Sequence, residues 1–173
     1  AGITTAAMQA AVADNVAVVR AMPNTPAIVG RAVTGLAAGS RVTPEQLATA
    51  SELFESVGRV VVVGEDQIDQ LSTVSGSGPA YVFYFIEEFT KAAVELGFTP
   101  DQARMLVEET FLGASELLAA SGKTPADLRR QVTSPNGTTM QAIAVFEQAN
   151  LHELFGRATA AALARAREIA AGK

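Results

Sequence analysis

Valine-rich runs and helical stripes divide this chain into an early part with β character and a longer, wholly helical part. Asn15–Met22 (NVAVVRAM) and Arg59–Gly64 (RVVVVG) are short Val-rich runs that predict strands, and Ala32–Gly39 (AVTGLAAG) is a weaker one. Between the last two lies TPEQLATASELFESVG. Thr43 is placed to cap a helix, Pro44 suits its first position, and Gln46 completes a capping box. Leu47, Ala50, Leu53, Phe54 and Val57 form its apolar stripe, and Gly58 ends it. Strand, strand, helix, strand is part of an α/β unit.

From Asp66 onward the pattern is helical throughout. Pro79 to Leu96, closed by Gly97, is apolar over much of its circumference (Val82, Phe83, Tyr84, Phe85, Ile86, Phe89), which predicts a deeply buried helix. Thr99-Pro100-Asp101-Gln102 repeats the threonine–proline start and opens a helix to about Ser121. Thr124-Pro125-Ala126-Asp127 opens a short one to Val132, Thr138–Gln148 is the next, and Asn150 with Glu153 caps a last one to about Ala171. The caps fall at irregular spacing, so they are punctuation and not an internal repeat. The predicted fold is mainly α: an α/β remnant over 1–65, then an all-α domain over 66–173, with the joint near Glu65 to Ser72. The opening AGITTAAMQ has no methionine before Ala1-Gly2 and reads as the tail of a strand leading to Thr4 or Thr5 as a helix cap, so preceding structure is expected.

Composition narrows the function classes. Among 173 residues, 49% are hydrophobic and 18% charged, an ordinary globular balance. Net charge is −5 and no basic run exceeds the pair Arg129–Arg130, which argues against a nucleic-acid partner. Zero cysteines exclude disulfides, thiol catalysis and cysteine-ligated metals. No apolar run reaches the roughly 20 residues of a membrane helix, so a cytoplasmic protein with no membrane partner is expected.

Three stretches carry candidate chemistry. The first, TSPNGTTMQAIAVFEQ (Thr133–Gln148), sets a polar turn before an amphipathic helix. Asn136-Gly137 tolerates positive φ, and the turn can aim several backbone N–H groups at one carboxylate, with Ser134, Thr138 and Thr139 adding hydroxyls. The competing reading is a well-capped helix. In the second, SGSGPAYVF (Ser75–Phe83), Tyr81 stands where a dinucleotide loop needs its third glycine, so the glycines are expected to admit another backbone closely. The third, MPNTPAIVG (Met22–Gly30), puts Asn24 between two prolines at a strand's C-terminal edge. Glu65, Asp66 and Asp69 cluster at the joint and read first as solvated helix-start acids. His152, the one histidine, reads as a surface residue, and no metal set is expected.

In this order, AGIT, VVRAMPNTPAIVG, GED.ID..STVSGSGPAY and TSPNGTTMQAIAVFE resemble pyrroline-5-carboxylate reductase over essentially the whole chain. The resemblance implies reduction of 1-pyrroline-5-carboxylate to L-proline by NADPH or NADH, the last step of proline biosynthesis. It implies the C-terminal part of a Rossmann-type domain, then an all-α dimerisation domain like the C-terminal domain of 6-phosphogluconate dehydrogenase. It also implies a homodimer, or a higher oligomer built from dimers, with active sites completed across the subunit boundary. By similarity, Ser134 and the N–H groups of Gly137 and Thr138 hold the substrate carboxylate, and Thr139 faces the ring nitrogen as the catalytic hydroxyl. Glu65 falls on a position lining the substrate pocket. Ala1, Gly2 and Asn24 fall near the nicotinamide, and Gln131 on a possible cofactor contact. Two departures stand out: Asn136 replaces a glycine common in relatives, and no strand followed by G-x-G-x-x-G is present, so the chain alone is expected to be a poor reductase. The alternatives are a β-hydroxyacid dehydrogenase, which would need a catalytic lysine where only Lys91 stands without the expected Gly-Gly and Lys-x-x-Asn pattern, and a helical dimerisation module that only binds small anions.

Overall fold

The computed structural model describes residues 2–172. Contacts gather the chain into two units, one running to Tyr81 and taking in the residues from Gly156, the other Val82–Phe155.

In the first unit, β1 (Val19–Met22), β2 (Ala32–Ala38) and β3 (Gly58–Val62) form one sheet in that order. β1 runs antiparallel to β2, with Val19 opposite Ala38 and Met22 opposite Gly35, and β2 runs parallel to β3, with Ala32 opposite Gly58 and Leu36 opposite Val62. β2 is central, which is why Ala32, Thr34, Leu36 and Ala37 are buried, with Ile68 beside them. The strands are shorter than their valine-rich runs; Asn15 to Val18 precede β1 as irregular chain. α1 (Thr5–Ala10) is capped by Thr4. α2 (Pro44–Glu55) has the predicted capping box between Thr43 and Gln46. It ends at Ser56, so Gly58 does not end the helix but opens β3, where a Cβ would collide with the backbone of Ala32. After β3 come a 3-10 turn (Glu65–Gln67), α3 (Ile68–Leu71) and a π turn (Ser72–Gly76) that leads into α4 (Gly78–Glu95).

The second unit holds the rest of α4, then α5 (Pro100–Ser121), α6 (Pro125–Gln131) and α7 (Thr138–Gln148), and α8 (Leu151–Ala170) begins in it. Thr99 with Gln102 forms the expected box at α5, and Thr124 caps α6. The core is small: Ala93, Ala103 and Val107, with Ile86 and Phe111 packed against them. α4 is not deeply buried within this chain. Phe83 is 66% exposed, Tyr84 61% and Phe89 50%, because the apolar band is wider than the face that α5 covers.

Candidate functional site

The loop before α7 is built differently from the four threonine-capped helix starts. The hydroxyls of Thr4, Thr43, Thr99 and Thr124 each accept from the N–H three residues on. At α7 the N-cap is Gly137 and no side chain caps. Of the four hydroxyls, Thr133 Oγ1 donates back to Arg129 O at 2.6 Å, closing α6. Those of Ser134, Thr138 and Thr139 bond to none of the described residues, and the first-turn N–H groups of α7 also lack a partner. Plain capping is therefore not what forms here. Asn136 takes φ 60°, and the Gly137 N–H donates to Ser134 O at 3.0 Å. A Cβ on Gly137 would strike the Ser134 hydroxyl, so glycine lets the loop close on itself. The result is an open helix start with free donors and three free hydroxyls, suited to a carboxylate. Gln131, at the end of α6, is exposed and accepts from Lys123 Nζ at 3.3 Å.

In the first unit, the Asn24 side chain is fully engaged by protein. Its Nδ2 donates to Ser75 O at 2.9 Å and its Oδ1 accepts from Val33 N at 2.9 Å. It thus staples the loop after β1 to the π turn and to β2. A cavity of about 430 Å³ opens beside it, between Met22–Thr25, the Ser72–Ser77 segment and one face of α8 that includes Arg165 and Ile169. Gly2, at φ 78°, lies against this wall; a Cβ there would meet Ile169 Cγ2 at 3.0 Å. Gly2 thus approaches Ile169 of this wall without itself lining the cavity, whereas Ala1 lies outside the described residues. The expectation that Gly76 and Gly78 admit another backbone is not met among the described residues: the Met22 Cε lies 3.5 Å from a Gly76 Cβ, and nothing approaches Gly78. The segment instead makes a π turn, with Tyr81 Oη donating to Thr73 O at 3.0 Å.

Glu65 is not a simple solvated helix-start acid. Its Oε1 accepts from Arg20 Nη1 at 2.6 Å and from Thr5 N at 3.1 Å, and Arg20 Nη2 reaches Asp69 Oδ1 at 3.3 Å. Arg20 is 7% exposed, and Glu65 Oε2 is buried without a partner among the described residues. The sequence reading passed over Arg20; the signal was a lone cation inside an apolar strand, which requires a carboxylate to be buried. Glu65 does not line the cavity beside Asn24. Lys91 pairs with Glu87 at 2.7 Å and Glu88 at 2.8 Å, two carboxylates that hold its ammonium well above the ordinary lysine range. That is the opposite of the shift a catalytic lysine base needs. His152 is exposed, and among the described residues no group of acids and histidines could hold a metal ion.

Residues 65–169 match the family described as pyrroline-5-carboxylate reductase dimerisation. Over 169 residues the chain is 41% identical to the pyrroline-5-carboxylate reductase of Synechocystis sp., a match covering 98% of this chain and 63% of that protein. A structure of the Coxiella burnetii pyrroline-5-carboxylate reductase is similar at TM-score 0.92 and 43% identity, covering 96% of this chain and 62% of that one. The Plasmodium falciparum pyrroline carboxylate reductase with NADP bound is similar at TM-score 0.85 and 26% identity, over 98% of this chain and 68% of that one. The chain thus spans 63% of the length of the curated relative, and these matches carry the conclusion that it belongs to the pyrroline-5-carboxylate reductase family.

Proposed function

We propose that this chain supplies the substrate-holding and subunit-pairing part of an enzyme that reduces 1-pyrroline-5-carboxylate to L-proline with NADPH or NADH, the last step of proline biosynthesis. The observation that carries the reading is the open start of α7, where donors that four other helices cap internally are left free. The N–H groups of Gly137 and Thr138, with the Ser134 hydroxyl, would hold the carboxylate; Gly137 must release Ser134 O to take part. The Thr139 hydroxyl would face the ring nitrogen and polarise the C=N bond. NADPH or NADH, when bound, would supply hydride to the carbon of that bond, and because the iminium form already carries its proton, no strong acid is required.

Glu65 is proposed as a carboxylate lining the substrate pocket, held in place by Arg20. Gly2 and Asn24 fit the nicotinamide end of the cofactor, Asn24 by fixing the loop backbone since both its amide atoms are occupied. Ala1 and Gln131 complete the proposed cofactor contacts. The division 1–65 and 66–173 is proposed as one of ancestry: residues 1–65 from a cofactor-binding Rossmann-type domain, 66–173 from the dimerisation domain. The exposed aromatics of α4 fit a homodimer, or an oligomer of dimers, whose partner covers them. The acidic chain favours neither nucleic acid nor anionic membrane, no described helix is long and apolar enough to cross a membrane, and the cytoplasm is the proposed compartment.

The test is a graft in which this chain replaces the matching segment of the Synechocystis relative. NADPH oxidation on adding 1-pyrroline-5-carboxylate, with L-proline as product, is the expected outcome. A folded, dimeric graft that binds NADPH yet makes no proline would defeat the reading.

A further inference from the structure

Four asparagines occur in the chain, and they differ in what surrounds the side-chain amide. Asn15 and Asn24 precede the β-branched Val16 and Thr25, whose side chains crowd the following backbone nitrogen. Both amide atoms of Asn24 are also hydrogen-bonded. Asn150 precedes Leu151 and donates through Nδ2 to Glu153 Oε2 at 3.1 Å. Asn136 alone combines an exposed side chain, an amide with no partner among the described residues, and a glycine next in sequence.

We infer that Asn136–Gly137 is a site of spontaneous covalent modification, at which the loop before α7 converts from amide to acid. The Gly137 backbone nitrogen attacks the side-chain carbonyl carbon of Asn136. The new N–Cγ bond forms as the Cγ–Nδ2 bond breaks, and the proton lost by the Gly137 nitrogen leaves with the departing ammonia. Water then opens the five-membered imide at one of its two carbonyls, giving aspartate or its isoaspartyl isomer; nothing is oxidised or reduced. Glycine permits the attack because no Cβ shields the nitrogen. The hydrogen bond from Gly137 N–H to Ser134 O, 3.0 Å, is the brake, since it must open first.

The consequence rests on the carboxylate-receptor reading of α7. The imide removes the Gly137 N–H, and the acid places a negative charge beside free donors that would otherwise meet the substrate. The same charge at a helix start does not weaken the helix, so in the aspartate form affinity falls without loss of stability.

The chain is to be incubated at mildly alkaline pH and mapped by peptide mass spectrometry, with L-proline affinity measured before and after. The mass increment of an amide-to-acid exchange is expected at the peptide holding Asn136, not at those holding Asn15, Asn24 or Asn150, and is abolished by Asn136→Gly. Asn136→Asp should bind L-proline about tenfold more weakly with unchanged melting temperature, aged protein should bind at least that much more weakly, and Asn136→Gly keeps its affinity. No increment at Asn136, or equal increments at all four asparagines, overturns the inference. Aged protein that keeps its affinity overturns the functional consequence. Fresh protein that ignores L-proline sinks the receptor reading instead, while the mass result still decides the modification.

Discussion

Arg20 on β1 and Glu65 after β3 lie 45 residues apart and meet at 2.6 Å, with the guanidinium almost wholly enclosed. The same guanidinium reaches Asp69, so one buried cation joins the sheet to the start of the helical region. Removing it would leave two neighbouring carboxylates facing each other without compensation. Arg20→Met is expected to destabilise by about 3 kcal/mol, the low end for a broken buried pair because both acids keep some solvent. Urea unfolding checks this, and a loss below about 1 kcal/mol would reduce the cluster to an ordinary surface pair.

Local signals made much of the fold legible. The Thr-Pro-x-Gln starts at Thr43 and Thr99 gave both helix starts and the capping boxes, because capping depends on residues three apart. The three strands were legible from the apolar runs; the first residue of β2 fell where expected, but those of β1 and β3 did not. What stayed hidden depends on distant partners. Nothing near Asn24 in sequence announces that its amide binds Ser75 O and Val33 N, or that Ser72–Gly76 forms a π turn. Apolarity announced a wide band on α4, but not that Phe83, Tyr84 and Phe89 stay exposed within this chain. At α7 the hydroxyl-rich loop suited a plain cap somewhat better than a receptor, and only coordinates separate free donors from satisfied ones.

The breadth of apolar surface on α4 leads to a prediction about assembly. Phe83 is 66% exposed, and an aromatic left in water forfeits about 1.5–3 kcal/mol of burial. The chain is expected to be dimeric by light scattering at micromolar concentration. Phe83→Glu, placing a charge in the covered face, should weaken the dimer at least about tenfold. A wild-type chain that scatters as a monomer would leave the exposed helix without an explanation.

Lys91 supplies a negative control with a definite pH sign. Its pKa is raised by Glu87 and Glu88, so whatever the pairs contribute is fully present below the ordinary lysine range and is lost only as pH rises through the raised value. Stability should show no Lys91-dependent change between neutral pH and the ordinary lysine range. Lys91→Met should leave turnover of the grafted reductase unaltered, since the side chain is exposed and paired. A large loss of kcat would revive the dehydrogenase alternative.

Thr139 offers the sharpest separation of catalysis from structure. Its hydroxyl bonds to none of the described residues, and α7 takes no side-chain cap. Thr139→Val keeps size and branching while deleting that hydroxyl, so stability should change by no more than about 0.5 kcal/mol. Thr43→Val is the contrast: that hydroxyl accepts from Gln46 N, and its loss should cost about 1 kcal/mol. If Thr139 meets the ring nitrogen, the lost hydrogen bond in a closed site costs about 1–3 kcal/mol, or roughly 5- to 150-fold in kcat/KM. NADPH affinity should barely move. In the grafted reductase the two variants should therefore invert, Thr43→Val melting earlier with turnover intact and Thr139→Val melting normally with turnover depressed. Wild-type kcat/KM in Thr139→Val would remove the hydroxyl from the reaction and leave the backbone N–H groups of the α7 start as the whole of its contribution.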